Sequence, residues 1–337
     1  MLELHDLRPD WESDWAGTVA AHPSATLFHH PDWLKVLQRT QHLDLVPLGV
    51  TRNGRMIGLL PLLVRRYGPL RIGASPFIVE DTPYLGPVVD GAPLREVLEA
   101  LERWARHNRL AFVRLLLPPG TLGAVDASMN GSASADFVEK HTHILDLRAG
   151  ADRVWRNLKD GCRGAIKKAQ RAGLQITSAT TPSEIHEYYR IADALHRAQK
   201  LRHPNSEQFF QEVWTRFGSS KEVSLLLCRH EGRLVGGVFL GHSRGTAYYL
   251  DGASNHDGKR LQAANLLLWE AIRQAIDDGF DWFDFVGSDI PRLAQFKASF
   301  GGDLHSYWCV EVAYSRPARI LRRGYPRWKA WVARWSA

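Results

Sequence analysis

The feature that most constrains this chain is that one pattern of elements occurs in it twice. LVPLGVTRNGRMIGLLPLLV (Leu45 to Val64) reads strand, turn, strand, and VSLLLCRHEGRLVGGVFLG (Val223 to Gly241) reads the same way. In both, apolar β-rich arms flank a polar turn that ends in Gly-Arg, Gly54-Arg55 and Gly232-Arg233. A further apolar strand region and a loop follow, and then a helix: PLREVLEALERWARHN (Pro93 to Asn108) and QAANLLLWEAIRQAIDDG (Gln262 to Gly279). Each helix ends on Asn or Gly, residues that suit a helix C-cap. Each leads at once into a short hydrophobic strand, AFVRLLL and FDWFDFV. The two turns and the two helix ends are separated by nearly the same number of residues, so the repeat is one of architecture. The pattern predicts two α/β modules in tandem, over residues 1–147 and 148–312, with a tail over 313–337. Gly120 to Ala135, rich in Gly, Ala and Ser, reads as a loop near the join, and FVEKHTHILDL after it as a strand.

A chain of 337 residues is long enough for two such domains. Its 45% hydrophobic and 23% charged residues fit a soluble globular protein with a substantial core. No run approaches the roughly 18 apolar residues of a membrane span. The start, MLELHDLRPDW, lacks the basic and apolar regions of a signal peptide. Cys162, Cys228 and Cys309 are far apart and form no CxxC pair, which argues for a reducing compartment. The expected location is cytoplasmic. The net charge of +7 is matched by the last stretch alone, where Arg316, Arg319, Arg322, Arg323, Arg327, Lys329 and Arg334 face no acid. Trp328, Trp331 and Trp335 in the same stretch share one face if it is helical. Arginines beside a tryptophan stripe suit peripheral contact with an anionic membrane surface. Tryptophans docked on the body with the arginines in water are the plainer reading.

The second module opens with VWRNLKDGCRGAIKKAQRAGLQI (Val154 to Ile176), which reads as a helix with a basic face. Such a face is ordinarily just solvated. Its sharper meaning is an anionic ligand, with Lys159, Arg163, Lys167 and Lys168 as candidates for tRNA or phosphate binding. There is no GxSxG elbow and no Walker A loop. The 15 histidines form no HExxH pair or Cys/His cluster, and His29, His30, His141 and His143 read as dispersed strand-edge or loop residues. No metal site is expected.

Hairpin, strand, helix, strand is the core of the GNAT acyltransferase fold, and two such modules in one chain resemble the Fem family of aminoacyl and peptidyl transferases. The likeness reaches individual segments. FHHPDWLKVLQ (Phe28 to Gln38) resembles the family's N-terminal Phe-x-x-x-x-Trp stretch. The basic helix, and YYLDGASNHDGKRLQAANLLLWEAIRQAIDDGFDWFDFVG, resemble its second module; QFKASFGG resembles its Phe-Lys-x-x-Phe-Gly segment. The match runs from Phe28 to about Val312. It implies two tandem GNAT-like domains, each a mixed sheet flanked by helices, with the acceptor bound between them. It also implies transfer of an aminoacyl group from aminoacyl-tRNA to an amine of a peptidoglycan precursor or related peptide-like acceptor, by a monomer, without a bound cofactor. A neighbouring branch of GNAT-like proteins, linked to polysaccharide or lipid modification, shares the pattern. An acyl-CoA-dependent N-acyltransferase acting on an amino sugar, polysaccharide or lipid precursor is therefore the alternative, and a non-catalytic binding module the third. Typical acyl-CoA users carry Arg/Gln-x-x-Gly-x-Gly/Ala, where this chain has NHDGKRLQAAN (Asn255 to Asn265) without the glycine spacing.

Acyl transfer to an amine passes through an oxyanion, and a donor fixed at that oxygen contributes roughly 3–4 kcal/mol. In AQFKASFGG, Lys297 lies between Phe296 and Phe300, which would exclude water after the strand end FDFVGSD. The resemblance places the family's active-site lysine at Lys297; a lysine stem packed on phenylalanines is the plainer alternative. Asp284, at the strand end, is the first candidate to hold or deprotonate the amine, and Asp251 in YYLDG the second. Aspartates at strand ends also commonly satisfy loop N–H groups. Tyr249 and Phe296 are candidates for contact with the acceptor. A diphosphate-bearing acceptor calls for Arg and Lys donors, for which Lys35, Arg39 and Arg202 are candidates. The family pattern has a lysine four residues after the tryptophan, where this chain has Leu37.

Overall fold

A computed structural model describes residues 1–78, 82–120 and 135–314. Residues 121–134 of the expected loop and the Trp/Arg-rich tail lie outside the described residues. The first half of the chain runs β1 (Leu2–Asp6), α1 (Glu12–Ala21), a 3-10 turn (Leu27–His29), α2 (Pro31–Thr40), β2 (Asp44–Arg52), β3 (Arg55–Tyr67), β4 (Leu70–Ser75), β5 (Val88–Val89), α3 (Leu94–His107) and β6 (Leu110–Leu117). The second half runs β7 (Ala135–Asp146), α4 (Ala151–Asn157), α5 (Asp160–Arg171), β8 (Gln175–Ser178), α6 (Pro182–Ala198), α7 (Glu207–Phe217) and β9 (Val223–His230). It continues through β10 (Arg233–Ser243), β11 (Thr246–Ser254), α8 (His256–Arg260), α9 (Ala263–Asp277), β12 (Trp282–Asp284), α10 (Pro291–Ala298) and β13 (Asp303–Ala313).

The repeat read from the sequence is present in the strand order. In the first unit the sheet order is β1-β2-β3-β4-β6-β13, and in the second it is β8-β9-β10-β11-β12-β7. In both, four antiparallel strands are followed by a parallel fifth and an antiparallel sixth. A parallel pair needs a crossover, and the crossovers are the segments that hold α3 and α9. The hairpins form where the sequence places them. Asn53-Gly54 and Glu231-Gly232 both have φ > 0 at their two central residues, the condition of the two-residue turns that match strand twist.

The sixth strands set the bounds of the units. One compact unit takes in residues 1–78, 84–120, 135–139 and 307–314, the other 82–83 and 140–306. The bounds near 140 and 306 differ from the expected 147 and 312. The sixth strand of the second sheet, β7, precedes its module in the chain, and the sixth strand of the first, β13, comes from the chain's far end. Each unit has its own core. In the first, Val97, Leu101 and Ala105 of α3 cover Val46, Leu48, Leu60, Leu62 and Val113. In the second, α9 is apolar through most of its first half and keeps a polar stripe, Glu270, Arg273, Gln274 and Asp277, in its second, and its Leu266, Leu267, Leu268, Trp269 and Ile272 are buried with Ile166 of α5 and Leu226, Val238 and Leu240 of the sheet.

One local expectation needs correction. The basic helix predicted over Val154 to Ile176 is broken, because Leu158 and Lys159 are extended and the Lys159 N–H bonds Ser299 O at 3.0 Å. The segment around Lys297, which the sequence places only as following the strand end FDFVGSD, is the short helix α10, opened by Pro291 in its first turn. Leu37 is fully buried on α2 with Trp33 and Leu34. Leu37→Ala is expected to lower unfolding free energy by about 2–5 kcal/mol in denaturant titration.

Candidate active site

In the second unit, β11 and β12 pair over only three positions, Thr246↔Trp282, Ala247↔Phe283 and Tyr248↔Asp284. Beyond them β11 continues to Ser254 while the chain leaves β12 at Phe285. Opposite this parting, β11 has a bulge: Leu240 faces Tyr249 and Phe239 faces Asp251, so Leu250 is the extra residue. Bulges re-aim side chains and interrupt the hydrogen-bond ladder. The side chain of Lys297 enters here from α10 and is only 5% exposed. Its Nζ donates to the backbone oxygens of Val286 and Gly287 and lies 5.7 Å from the centre of the Tyr249 ring. Burial lowers its pKa from 10.5 to about 8, although Asp284 and Asp289 pull the other way. The group is therefore an ammonium at neutral pH in water-poor surroundings.

The carbonyls that receive Lys297 belong to an unusual turn. Val286 has φ +48° and Gly287 φ +65°. Left-handed geometry is free for glycine but an outlier for a β-branched valine, at a cost of order 1–3 kcal/mol. Asp284 helps hold it: Oδ1 accepts the Val286 N–H at 2.8 Å and the Thr142 hydroxyl at 2.6 Å. Both bonds fall on a side chain only 2% exposed. The turn also lies along β7, with Phe285 N–H on His143 O at 2.9 Å and Ser288 N–H on His141 O at 2.6 Å. It ends at Ser288, whose Oγ is 2.8 Å from His143 Nδ1. Burial, then Lys297 and Lys159, push the His143 pKa below its usual 6.5.

The structure thus brings Lys297, Asp284 and Tyr249 together and adds Thr142, His143 and Ser288, which sequence reasoning missed. A signal for Thr142 and His143 was present only as the HTH stretch (His141 to His143) of the strand before the second module, and for Ser288 only as the serine of FDFVGSD. Phe296 is half-buried, packed edge-on against Phe300 at 5.5 Å and against the core of its unit. The ring placed over the ammonium is that of Tyr249. That tyrosine's own pKa is raised by burial and by Asp251. Gly252 is required beside it, since a Cβ there would meet the Tyr249 hydroxyl at 2.2 Å. Asp251 accepts the Tyr188 hydroxyl at 2.7 Å and faces His203 Nε2 at 3.5 Å. Arg202 is exposed next to that histidine.

The cationic candidates divide by partner. Lys35 pairs with Glu12, with Asp32 at 3.9 Å, and Arg39 is exposed near the end of α2. Arg163 is committed to the end of α4: it donates to the carbonyls of Trp155, Arg156 and Leu158 and pairs with Asp160. That takes its guanidinium out of the phosphate-binding set. Lys159, Lys167 and Lys168 are exposed. Among the described residues no helix is long and apolar enough to cross a membrane.

The acetyltransferase (GNAT) domain family matches residues 156–298, a span that holds Tyr249, Asp284, Ser288 and Lys297. The protein is an acyltransferase. No curated protein gives a significant match. Among solved structures, the crystal structure of FemX is similar with a TM-score of 0.71 and 14% identity, over 95% of this chain and 99% of that one. The C-terminal domain of a putative lysylphosphatidylglycerol synthetase from Agrobacterium fabrum gives a TM-score of 0.57 at 12% identity, over 93% and 94%. A tandem GNAT protein from the clavulanic acid biosynthesis pathway gives 0.53 at 15% identity, over 94% and 99%. At these identities the likeness is one of fold, and the fold is two GNAT modules in tandem.

Two outcomes follow from the geometry. Lys297 holds its proton less tightly folded than unfolded, so unfolding takes up a proton between about pH 8 and 10.5. Stability should rise with pH across that window and fall as pH drops through about 8; chemical denaturation at stepped pH should show this slope in the wild type and its absence in Lys297→Met. Arg163→Met should cost about 1–2 kcal/mol of stability through the unpaired carbonyls of α4. Thermal melts of Lys167→Ala and Lys168→Ala should be close to wild type.

Proposed function

We propose that this acyltransferase is a Fem-like aminoacyltransferase. It moves an aminoacyl group from aminoacyl-tRNA to the amine of a peptidoglycan precursor or related peptide-like acceptor and forms an amide. The observation that carries the reading is the buried ammonium of Lys297 where β11 and β12 part. The fold likeness to FemX over nearly the whole chain supports it. So does the segment where acyl-CoA users cradle a pyrophosphate. Here Gly258 N–H bonds the Asn255 side chain at 2.9 Å, and the N–H groups of Lys259, Leu261 and Gln262 bond within the segment. Gly258 is also required for packing, because a Cβ would lie 2.2 Å from Val235 O. Those amides are occupied, and the glycine serves the protein's own backbone.

In this reading the acceptor amine attacks the ester carbonyl carbon. A C–N bond forms, and the carbonyl π pair moves to oxygen. Lys297 has three N–H donors and uses two on Val286 and Gly287, which leaves the third for the oxyanion. The Tyr249 ring keeps the local dielectric low and strengthens that bond. Collapse breaks the ester C–O bond, and the proton lost by the amine ends on the released tRNA hydroxyl. Asp284 holds the turn that fixes the lysine's two carbonyls. Exposed Lys159, Lys167 and Lys168 offer charge for the tRNA phosphates. The acyl-CoA-dependent N-acyltransferase is the second reading, favoured by the description of the matched domain as an acetyltransferase.

The test supplies purified protein with labelled aminoacyl-tRNAs, or separately with acetyl-CoA, and a panel of amine acceptors that includes peptidoglycan precursors. Labelled amide is expected from aminoacyl-tRNA. Lys297→Met should lower kcat by about 10²–10³-fold with little change in donor KM. Turnover from acetyl-CoA alone would replace this reading with the second.

A further inference from the structure

The turn that ends at Ser288 has a consequence beyond holding Lys297. Two buried charged side chains fix it. Lys297 takes the oxygens of Val286 and Gly287, and Asp284 takes the N–H of Val286. A β-branched residue is kept at φ +48° by this arrangement. Strain of this kind persists where surrounding structure over-determines it, and an observed outlier is grounds for asking what it positions. The next side chain along is Ser288, 7% exposed, and its hydroxyl meets His143, 6% exposed. The serine comes from the turn after β12 and the histidine from β7. The antiparallel pairing of those strands, with the two backbone bonds from Phe285 and Ser288 to β7, sets their approach.

We propose that Ser288 and His143 form the proton-transfer pair of this site: Ser288 Oγ accepts a proton from the attacking amine as it passes its own to His143 Nδ1. The proposal rests on the amide-forming transfer described above. The step balances. The amine nitrogen forms its bond to the acyl carbon and loses one proton to Ser288, whose own proton moves to the imidazole. As the ester C–O bond breaks, the imidazolium returns that proton through Ser288 to the leaving oxygen. Ser288 touches the reacting amine, and His143 acts through it.

The charges around His143 fit the role. Lys297 from α10, Lys159 from the start of α5 and His305 from β13 face it on the positive side, and Asp303 from β13 on the negative. With burial, the balance favours a neutral ring at neutral pH, and in the tautomer with its proton on Nε2 the lone pair is on Nδ1, facing Ser288. Lys297 stays charged in the same surroundings up to about pH 8. One group is thereby kept as a cationic donor and the other as a proton acceptor, the separation of roles that acid–base chemistry at a single site requires.

The first measurement is the tautomer of His143 in the whole protein, from imidazole 15N shifts at neutral pH with His143→Gln for assignment. A bare Nδ1 and a protonated Nε2 are expected, with the Nδ1 shift altered in Ser288→Ala. A proton on Nδ1 at neutral pH would overturn the proposal whether or not turnover has been found. The second measurement is the pH profile of amide formation. Ser288→Ala and His143→Gln should each lower kcat by about 10²–10⁴-fold with donor KM nearly unchanged, and should abolish the acid limb, which in the wild type lies below pH 6.5. Both variants should melt within a few degrees of wild type; Ser288→Ala, the smaller change, decides if His143→Gln unfolds. Wild-type turnover with an undiminished Ser288→Ala sinks the pair and leaves the transfer reading standing. No amide from any donor sinks the transfer reading, while the tautomer still decides the pair.

Discussion

The site depends on one buried charge. An ammonium taken out of water is costly unless it is paired and hydrogen-bonded, and Lys297 meets that demand with two backbone oxygens and the nearby carboxylates of Asp284 and Asp289. The same bonds keep Val286 and Gly287 in left-handed geometry, so the lysine and the turn stabilise one another. Remove the charge and two buried carbonyls lose their donor; relax the turn and the ammonium loses its acceptors. A fixed cation in a low dielectric is also what the proposed transfer asks for at its oxyanion.

The two modules show how one sheet plan can be put to different uses. Both share six strands in the same order, to which the first adds the short β5 alongside β3, with the crossover helix packed on one core. In the second, the parallel pair opens after three positions and the widening is lined by Tyr249, Asp284 and Lys297. In the first, the parallel pair β4 and β6 runs over five positions, with one shift of register between Arg71 and Ile72. The segment after β4 has no lysine, and Ser75, the last residue of β4, bonds Leu85 O within the fold. The sixth strand of each sheet lies outside the sequence span of the five before it, which is why boundaries drawn from the repeat differ from the compact units.

Much of this was legible because the signals are local. Apolar β-rich arms around Asn53-Gly54 and Glu231-Gly232 specify hairpins whatever the rest of the chain does. The helical periods of α3 and α9 and their Asn and Gly ends specify the crossovers. Lys297 could be singled out from its setting between Phe296 and Phe300, although the ring it meets is that of Tyr249. The break at Leu158 and Lys159 was not legible, since it depends on a bond to Ser299 far along the chain. Arg163 read as a phosphate ligand because nothing local shows that the end of α4 turns its carbonyls toward it.

By itself the sequence determined the tandem plan, the hairpins and the crossover helices, because periodicity and turn chemistry act over a few residues, and it singled out Lys297 as a candidate. Only the tertiary structure decided what surrounds that lysine. Val286 in a left-handed turn, Thr142 on Asp284 and His143 on Ser288 are contacts made by strand pairing across 142 and 145 residues of chain. A strand's own sequence states which of its faces is apolar. It does not state which distant turn will lie beside it, and here that neighbour sets the charge, the strain and the proton path.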